Sequence, residues 1–188
     1  MNFNIIVAYC QNRGIGINNT LPWKIRSDLK KFYKLTTGNG KNAIIMGKNT
    51  WVSLNSTPLK LRDNLIISET LNIDNTNINN QIIKSFKSID LMISFCKEKN
   101  YEDIWIIGGE KLYSSFLNNE NYNKLINKIY LTELDCTYNC DTYFPLINDN
   151  FKCIEKKTHI LNNKFNEFND LIEFKVWDKI FVNKLINQ

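Results

Sequence analysis

Short apolar runs alternate with helix-like patterns over the first two-thirds of the chain. Runs rich in β-branched residues, such as IIVA, AIIM, LIIS and IWII, are typical of strands that are buried on both faces. They predict strands at residues 3–9, 43–47, 64–68, 81–84 and 104–107. Apolar residues at helical spacing predict helices at residues 27–36, 48–54, 88–98 and 109–117. This alternation predicts an α/β fold with a mostly parallel sheet.

The last third of the chain has a different pattern, because polar and apolar residues alternate there, as in FKCIEKKTHI and LIEFKVW. This alternation predicts strands at residues 127–134, 151–158 and 171–178, the last two forming an antiparallel hairpin. The whole prediction is a single domain, residues 1–178, with an eight-stranded, mostly parallel sheet, an antiparallel C-terminal edge and about four helices. The Asn-rich segment 69–81 is predicted to be a solvated loop. Residues 179–188 are predicted to form a short amphipathic helix or to begin a linker.

Composition restricts the class of protein. A chain of 188 residues with 43% apolar and 12% aromatic residues is large enough for one globular core. The net charge of +5 is spread along the chain without an arginine-rich run, which argues against nucleic-acid binding, although a basic surface also suits an anionic cofactor. Neither a signal peptide nor an apolar run of about 18 residues is present, so no membrane segment is expected. Five cysteines without a CxxC pair, and a single histidine, argue against a metal site and favour reduced thiols in the cytoplasm.

Two common phosphate-binding motifs are not met. The segment Gly14–Asn19 fails the GxGxxG pattern because its last position is Asn. The Walker A pattern fails because Asn42 replaces its first glycine and Asn49 replaces its Ser or Thr. A glycine-containing loop that runs to Leu21 remains, and by itself it could be an ordinary turn.

Several polar residues lie where predicted strands end. Lys48 opens a helix after a buried strand, and helix N-terminal amides together with a lysine favour an anion. Ser68 and Lys87 are predicted at the same edge of the sheet, which suits a phosphate. Gly108 and Gly109 form a strand-to-helix turn that allows close approach of the backbone to a ligand.

Among four further polar residues, Asp28 and Tyr113 each allow two interpretations, and Arg62 and Asp141 are interpreted on their own pattern. Asp28 lies at the edge of a helix face predicted to bury Leu29 and Phe32, so its carboxylate is costly to desolvate unless a cation or donor meets it; alternatively it caps the helix in water. Tyr113 is either a polar group near a ligand or a core tyrosine, and Arg62, taken alone, is most simply a solvated surface arginine. Asp141 is a turn residue that anchors a loop.

Six stretches then identify a resemblance. They are IIVAYCQNRGIGINNTLPW (5–23), IIMGKNTW (44–51), PLKLRDNLIIS (58–68), IWIIGGEKLY (104–113), IYLTEL (129–134) and CDTYFP (140–145). In order and spacing they resemble the dihydrofolate reductases over about residues 3–178. The resemblance implies NADPH-dependent reduction of 7,8-dihydrofolate, binding of antifolates such as methotrexate, and a thymidylate synthase as a fused or separate partner.

The resemblance also implies roles for individual residues. Asp28 would bind the pterin, Leu21 would lie at the tip of a mobile loop over the nicotinamide, and Thr132 would link Asp28 to the sheet. The implied catalytic residues are Asp28, Leu21, Tyr113 and Thr132. The implied substrate-binding residues are Ile6, Val7, Ala8, Asp28, Leu29, Phe32, Leu54, Leu59, Arg62, Ile107 and Thr132. The implied cofactor-binding residues are Ala8, Ile15, Gly16, Leu21, Gly47, Lys48, Asn49, Thr50, Ile67, Ser68, Glu69, Lys87, Ile107, Gly108, Gly109, Glu110, Lys111, Leu112 and Tyr113.

Two positions depart from the family pattern. Glu69 stands where a basic or neutral residue is usual, and its carboxylate would repel the 2′-phosphate of NADPH if it faced it. Leu61 stands where glycine is frequent, so the turn before Arg62 is expected to differ. The alternatives are a reductase of a ribosylated pyrimidine on the same fold and a non-catalytic binder of RNA or protein.

Overall fold

The computed structural model describes residues 2–164, 171–184 and 186. Its strands are β1 (Asn2–Cys10), β2 (Gly14–Gly16), β3 (Ala43–Gly47), β4 (Asp63–Ile67), β5 (Thr76–Ile78), β6 (Gln81–Phe86), β7 (Asp103–Gly108), β8 (Ile126–Leu134), β9 (Thr142–Tyr143), β10 (Phe151–Lys164) and β11 (Leu171–Asn183). Its helices are α1 (Arg26–Thr37), α2 (Lys48–Ser53), α3 (Ile89–Lys99), α4 (Glu110–Asn118) and α5 (Glu120–Asn123). None of the described helices is long and apolar enough to cross a membrane.

The main sheet has the strand order β10-β11-β8-β1-β7-β3-β4-β6-β5. Strand β1 pairs in parallel with β7 and β8, and the strands β7, β3, β4 and β6 continue the parallel arrangement. Strand β11 pairs antiparallel with both β8 and β10 at one edge. The predicted α/β fold, mostly parallel sheet and antiparallel C-terminal edge are therefore confirmed.

The structure adds short elements that the sequence pattern did not predict. The eight predicted strands are present, but β5 makes a ninth at the far edge of the sheet, within the segment predicted to be a loop. All three residues of β5 are exposed. A strand without a buried face does not need alternating polar and apolar residues, so its sequence carries no strand pattern. Strands β2 and β9 form a separate two-stranded sheet, and α5 adds a fifth helix to the four predicted.

The C-terminal segment was predicted wrongly where the structure describes it. Residues 179–183 continue β11 rather than forming a helix, and Lys179 and Phe181 pair with Leu131 and Ile129 of β8. The strand ends on Asn183, whose buried side-chain amide donates to the carbonyl groups of Asn123 and Ile126 at 2.9 Å each. Residues 185, 187 and 188 lie outside the described part.

Apolar side chains cover both faces of the sheet. One cluster includes Phe3 and Ile5 of β1 together with Phe116 of α4. The other includes Ile6 of β1 and Trp51 of α2, with Phe32 of α1 packed against it. Since both faces are covered, the edge formed by the carboxyl ends of the parallel strands is where a crevice can open.

Candidate active site

A cavity of about 1000 Å³ opens along the carboxyl ends of the parallel strands. It brings together residues from β1, β3, β4, β7, α1, α2 and α4. The predicted site residues that line it are Ile6, Val7, Ala8, Ile15, Gly16, Leu21, Asp28, Leu29, Phe32, Gly47, Lys48, Asn49, Thr50, Leu54, Leu59, Arg62, Ile67, Ser68, Glu69, Lys87, Ile107, Gly108, Gly109, Glu110, Lys111, Leu112 and Tyr113. The cavity wall also holds Asn19, Thr20, Tyr33, Ser53, Thr70, Ile89, Ser115 and Thr142, which the sequence analysis did not single out.

Asp28 lies in the first turn of α1 and faces the cavity. The N-cap of this helix is Ile25, so Asp28 is not its cap. Burial raises the pKa of the Asp28 carboxyl; a hydrogen bond with Thr132 and the charge of Lys31 lower it, and the charge of Asp178 raises it. The predicted need for a cation and a donor at this carboxyl is therefore met by two side chains.

Leu29 differs from its prediction. Its side chain is 48% exposed and lines the open cavity instead of being buried in the core. The reason is that the face of α1 that carries Asp28 looks into the crevice and not onto the sheet. Phe32, one turn later, is partly buried against the second core cluster.

Thr132 lies behind Asp28 rather than in the cavity wall. It is buried on β8, where its hydroxyl oxygen accepts a hydrogen bond from Lys31 Nζ at 3.2 Å. The same hydroxyl donates to Asp178 Oδ1 over 3.3 Å, and Lys31 Nζ lies 2.6 Å from that oxygen. Lys31 and Asp178 were missed by the sequence analysis, because two residues separated by 147 positions give no local signal of their contact.

Arg62 is buried rather than solvated, so its interpretation as a surface arginine was wrong. Only 3% of the residue is exposed. Its guanidinium carbon lies 5.7 Å from the ring centre of Phe32 and 5.3 Å from that of Tyr33. Nη1 donates to Thr36 Oγ1, whereas Nε has no hydrogen-bond partner among the described residues. Burial lowers the pKa of Arg62 to about 10, so the group remains cationic at neutral pH.

The turn before Arg62 is held by Asn64. The buried Asn64 side chain accepts from the amide of Leu59 at 2.9 Å and donates to the carbonyl groups of Leu59 and Arg62 at 3.0 and 2.9 Å. Leu61 adopts a φ of 63°, a left-handed conformation that glycine adopts more easily. The turn thus keeps a glycine-like geometry although it lacks the glycine, and the expectation of a different turn is not met at Leu61.

Lysines and a short loop form another part of the cavity. Lys48 Nζ donates to Thr70 Oγ1 at 2.9 Å, and Lys87 Nζ donates to the carbonyl oxygen of Glu69 at 2.8 Å. Ser68 Oγ accepts from the amide groups of Thr70 and Leu71 at 3.3 and 2.9 Å. Glu69 is exposed, and both lysines lie beside it at the edge of the cavity.

The turn between β7 and α4 contains a cis peptide bond between Gly108 and Gly109. Gly108 has a φ of +117°, and a Cβ atom on it would lie 3.1 Å from the ring of Tyr113, so the position requires glycine. The Tyr113 hydroxyl donates to the carbonyl oxygen of Ile6 at 2.9 Å, and burial raises its pKa. Tyr113 is therefore a core residue that also lines the cavity.

The loop that carries Leu21 is tied at its base. The amide of Asn18 donates to Asp141 Oδ2 at 2.8 Å, and the amide of Asp141 donates to the Gly16 carbonyl at 3.0 Å. These bonds extend the small sheet of β2 and β9 and agree with the predicted anchoring role of Asp141. Leu21 itself is 54% exposed at the cavity rim.

Known proteins of similar sequence point to the family that the six sequence stretches resemble. A sequence model of the family "Dihydrofolate reductase" matches residues 2–176. The chain is 38% identical to a dihydrofolate reductase of Buchnera aphidicola, with 96% of this chain and 99% of that protein covered, and 31% identical to that of Heliothis virescens, with 94% and 97% covered. It is also 31% identical to a bifunctional dihydrofolate reductase-thymidylate synthase of Paramecium tetraurelia, of which it covers 28%. This chain belongs to the dihydrofolate reductase family.

Proposed function

We propose that this protein catalyses the NADPH-dependent reduction of 7,8-dihydrofolate to 5,6,7,8-tetrahydrofolate, in support of one-carbon and thymidylate metabolism. The observation that carries the proposal is the desolvated carboxyl of Asp28, which lies in the wall of a cavity that also holds the two lysines Lys48 and Lys87. An acidic contact for a pterin and a cationic contact for a phosphate are thus provided by one crevice.

The residues around the strand ends fit NADPH. Lys48, Lys87 and the Ser68–Thr70 loop would hold its 2′-phosphate, and the amides that begin α2 and α4 would face its pyrophosphate. A Cβ atom on Gly47 would lie 3.8 Å from the Gly109 nitrogen, in the space beside those amides. When bound, NADPH supplies the hydride from its nicotinamide ring.

The part of the cavity around α1 fits dihydrofolate. Asp28 would accept hydrogen bonds from N3 and the 2-amino group of the pterin. The apolar wall around the rings would consist of Ile6, Val7, Ala8, Leu29, Phe32, Leu54, Leu59 and Ile107. Arg62 would bind the α-carboxylate of the glutamate tail, since its buried guanidinium has an unpartnered Nε among the described contacts.

Proton delivery is assigned to water. In the described wall of the cavity, Asp28 is the acidic residue on α1, and Glu69 and Glu110 lie with the cofactor-binding residues. The proton for pterin N5 therefore arrives through water, while Asp28 stabilises the protonated pterin electrostatically. The loop that carries Leu21 would cover the nicotinamide and exclude bulk water from the reacting atoms.

The test measures NADPH oxidation with purified protein, first with dihydrofolate and then without it. We expect oxidation only with dihydrofolate, and inhibition by stoichiometric methotrexate. Oxidation with a ribosylated pyrimidine and no response to methotrexate would favour the related reductase. Failure to bind NADPH at micromolar concentration would favour the non-catalytic binder instead.

We further propose a cytoplasmic location and a functional link to a thymidylate synthase. All five cysteines are unpaired, as is usual in a reducing compartment. The Paramecium relative carries both activities on one chain. Cell fractionation tests the location, and co-purification or a coupled assay of deoxythymidylate formation tests the link.

A further inference from the structure

Three polar side chains from three different elements meet behind Asp28. Lys31 comes from α1, Thr132 from β8 and Asp178 from β11, and we call them the Lys31–Thr132–Asp178 cluster. Thr132 and Asp178 lie directly opposite each other on paired strands, and Lys31 reaches both, at 3.2 and 2.6 Å. None of the three side chains lines the cavity. They therefore do not contact a ligand bound in the cavity, whereas Asp28, beside them, does line it.

Asp28 and Lys31 are three positions apart on α1, so their side chains lie on the same face of the helix. The side chains of Lys31 and Asp178 retain 28% and 25% of their accessible surface, so their charges are only partly screened by solvent. Both charges act on Asp28, with opposite sign. Within this ion pair, the charge of Lys31 lowers the pKa of the Asp28 carboxyl and the charge of Asp178 raises it.

Thr132 has one hydroxyl proton and two neighbouring carboxyl groups that could accept it, that of Asp178 at 3.3 Å and that of Asp28, whose pKa the threonine hydroxyl lowers. The hydroxyl can donate to Asp28 or to Asp178, while its oxygen accepts from Lys31. Donation to Asp28 stabilises the ionised form of that carboxyl. When Asp28 is protonated it is a weaker acceptor than the ionised Asp178, so donation of the hydroxyl proton to Asp178 is then favoured. The hydrogen bond of Thr132 thus depends on the protonation state of Asp28.

We propose that Lys31 and Asp178 are positioning residues for the reaction: through their contacts with Thr132 they set the orientation of the Asp28 carboxyl, and through their charges they set the pH range in which it gains and loses its proton. The role of this range in turnover rests on the proposed function. The effect on the Asp28 carboxyl itself does not, because it belongs to the protein without ligand.

Other charges near the cluster must be counted. Lys157 of β10 lies opposite Asp178 and pairs with Glu155. Glu133 and Lys179 form a second ion pair between β8 and β11, one position along each strand. Since neighbouring side chains on a strand point to opposite faces, this second pair lies on the other face of the sheet. It provides a control ion pair of one lysine and one carboxylate, carried by the two strands that hold Thr132 and Asp178.

The test uses the variants Lys31→Gln and Asp178→Asn, with Lys179→Gln and Glu133→Gln as controls. Asp28 is titrated in the ligand-free protein by carboxyl-carbon NMR, its signal being assigned with Asp28→Asn. The pH profile of hydride transfer is then measured in single turnovers. Removing the Lys31 cation should move the midpoint of the Asp28 titration and the midpoint of the pH profile to higher pH. Removing the Asp178 anion should move both to lower pH.

The proposal is supported if the two variants shift the midpoints in opposite directions and the controls leave them unchanged. The double variant should then have midpoints closer to those of the wild type. Shifts of the same sign, or no shift in either variant, would overturn it, because loosening of the structure does not depend on the sign of the charge removed. If Asp178→Asn does not fold, as judged by circular dichroism, an upward shift in Lys31→Gln supports the proposal and its absence overturns it. If the wild type does not turn over dihydrofolate, the proposed function fails, while the NMR titration still decides this inference.

Discussion

Asp28 is held in an environment that opposes its ionised form. Burial in the wall of the cavity raises its pKa, and the donor Thr132 and the cation Lys31 offset only part of this effect. A carboxyl that faces an open crevice in this way can bind a cationic pterin, but its ionisation lowers the stability of the fold. Two predictions at this residue separate the two consequences.

The first prediction concerns catalysis. Asp28→Asn should leave the fold intact and lower the turnover at neutral pH by roughly 10²–10⁴-fold, the usual contribution of positioned acid–base assistance. The loss should become smaller at low pH, where the substrate is already protonated. Steady-state kinetics across pH measure the effect. Wild-type turnover in this variant would remove Asp28 from the mechanism.

The second prediction concerns stability. A raised native-state pKa means that the folded protein binds the proton more tightly than the unfolded chain does, so Asp28 destabilises the fold as pH rises above the unfolded-state value near 3.8. The penalty is complete above the native pKa and absent below 3.8. Asp28→Asn should therefore increase the free energy of unfolding at neutral pH and leave it unchanged in acid. Denaturant unfolding at several pH values measures this, with the exposed Asp149→Asn as the control.

The third prediction concerns Arg62. Truncating one partner of a buried charged pair costs on the order of 2–5 kcal/mol, so Arg62→Leu should raise the KM for dihydrofolate by at least about 30-fold. The KM for NADPH should change little, and the KM for a substrate without the glutamate tail should be the same in the variant and in the wild type. Arg26→Leu, at the exposed first residue of α1 and outside the cavity wall, is the control. An equal increase of the KM for dihydrofolate and for NADPH would contradict a role of Arg62 in tail binding. Thermal unfolding of the variant would then show whether the lost contacts with the rings of Phe32 and Tyr33 have destabilised the protein.

At the scale of elements, the phosphate end of the cavity depends on how strand ends are tied to one loop. Lys48 follows β3, Ser68 follows β4 and Lys87 follows β6, and all three hold the backbone or side chains of Glu69–Leu71. The two lysines therefore have structural partners besides any phosphate. Glu69 stands in the same loop with its side chain exposed.

The fourth prediction tests the orientation of Glu69. If its carboxylate faces the 2′-phosphate, Glu69→Arg should tighten NADPH binding roughly two- to five-fold, the range of an exposed ion pair, with NADH binding unchanged. The gain should decrease at high salt, because exposed charges are screened within about 10 Å at 0.1 M. Glu98→Arg on α3 makes the same charge change elsewhere and is the control. An unchanged NADPH constant would mean that Glu69 points to solvent, and a preference for NADH in the wild type would contradict the phosphate pocket altogether.

At the scale of the whole molecule, the cavity joins segments from residue 6 to residue 142 of the chain. A ligand that fills it contacts both core clusters at once, through Ile6 and Ile107 on one side and Leu112 and Tyr113 on the other. Ligand binding and global unfolding should therefore be linked.

The fifth prediction measures this linkage. NADPH at about 100 times its dissociation constant should stabilise the fold by about 2.7 kcal/mol, and methotrexate should add to this if both ligands occupy the cavity together. Thermal or denaturant unfolding with each ligand and with both gives the values. Methotrexate that displaces NADPH rather than adding to it would contradict separate subsites in one crevice.

Local patterns in the sequence are enough to predict the layers of the fold, and the family resemblance adds the residues of the crevice. Buried parallel strands need continuous apolar runs, and the helices between them need a period of 3.6, so β3 was predicted at its exact bounds and the other parallel strands and the four predicted helices within two residues at each end. The antiparallel strands β10 and β11 begin where predicted but extend six and five residues further. The carboxyl ends of such strands must share an edge, which predicted that Lys48, Ser68 and Lys87 lie at one edge of the sheet.

Long-range packing accounts for the features that local patterns do not encode. The three exposed residues of β5 have no alternation, and residues 179–183 become a strand because β8 offers an unpaired edge. Arg62 is buried because two rings of α1 cover it, 26 positions from its partner Thr36. Asp178 reaches Lys31 only after β11 has added to the sheet. The chemistry of a side chain is set by its sequence identity, but its burial and its partners are set by long-range packing, which a single sequence does not show.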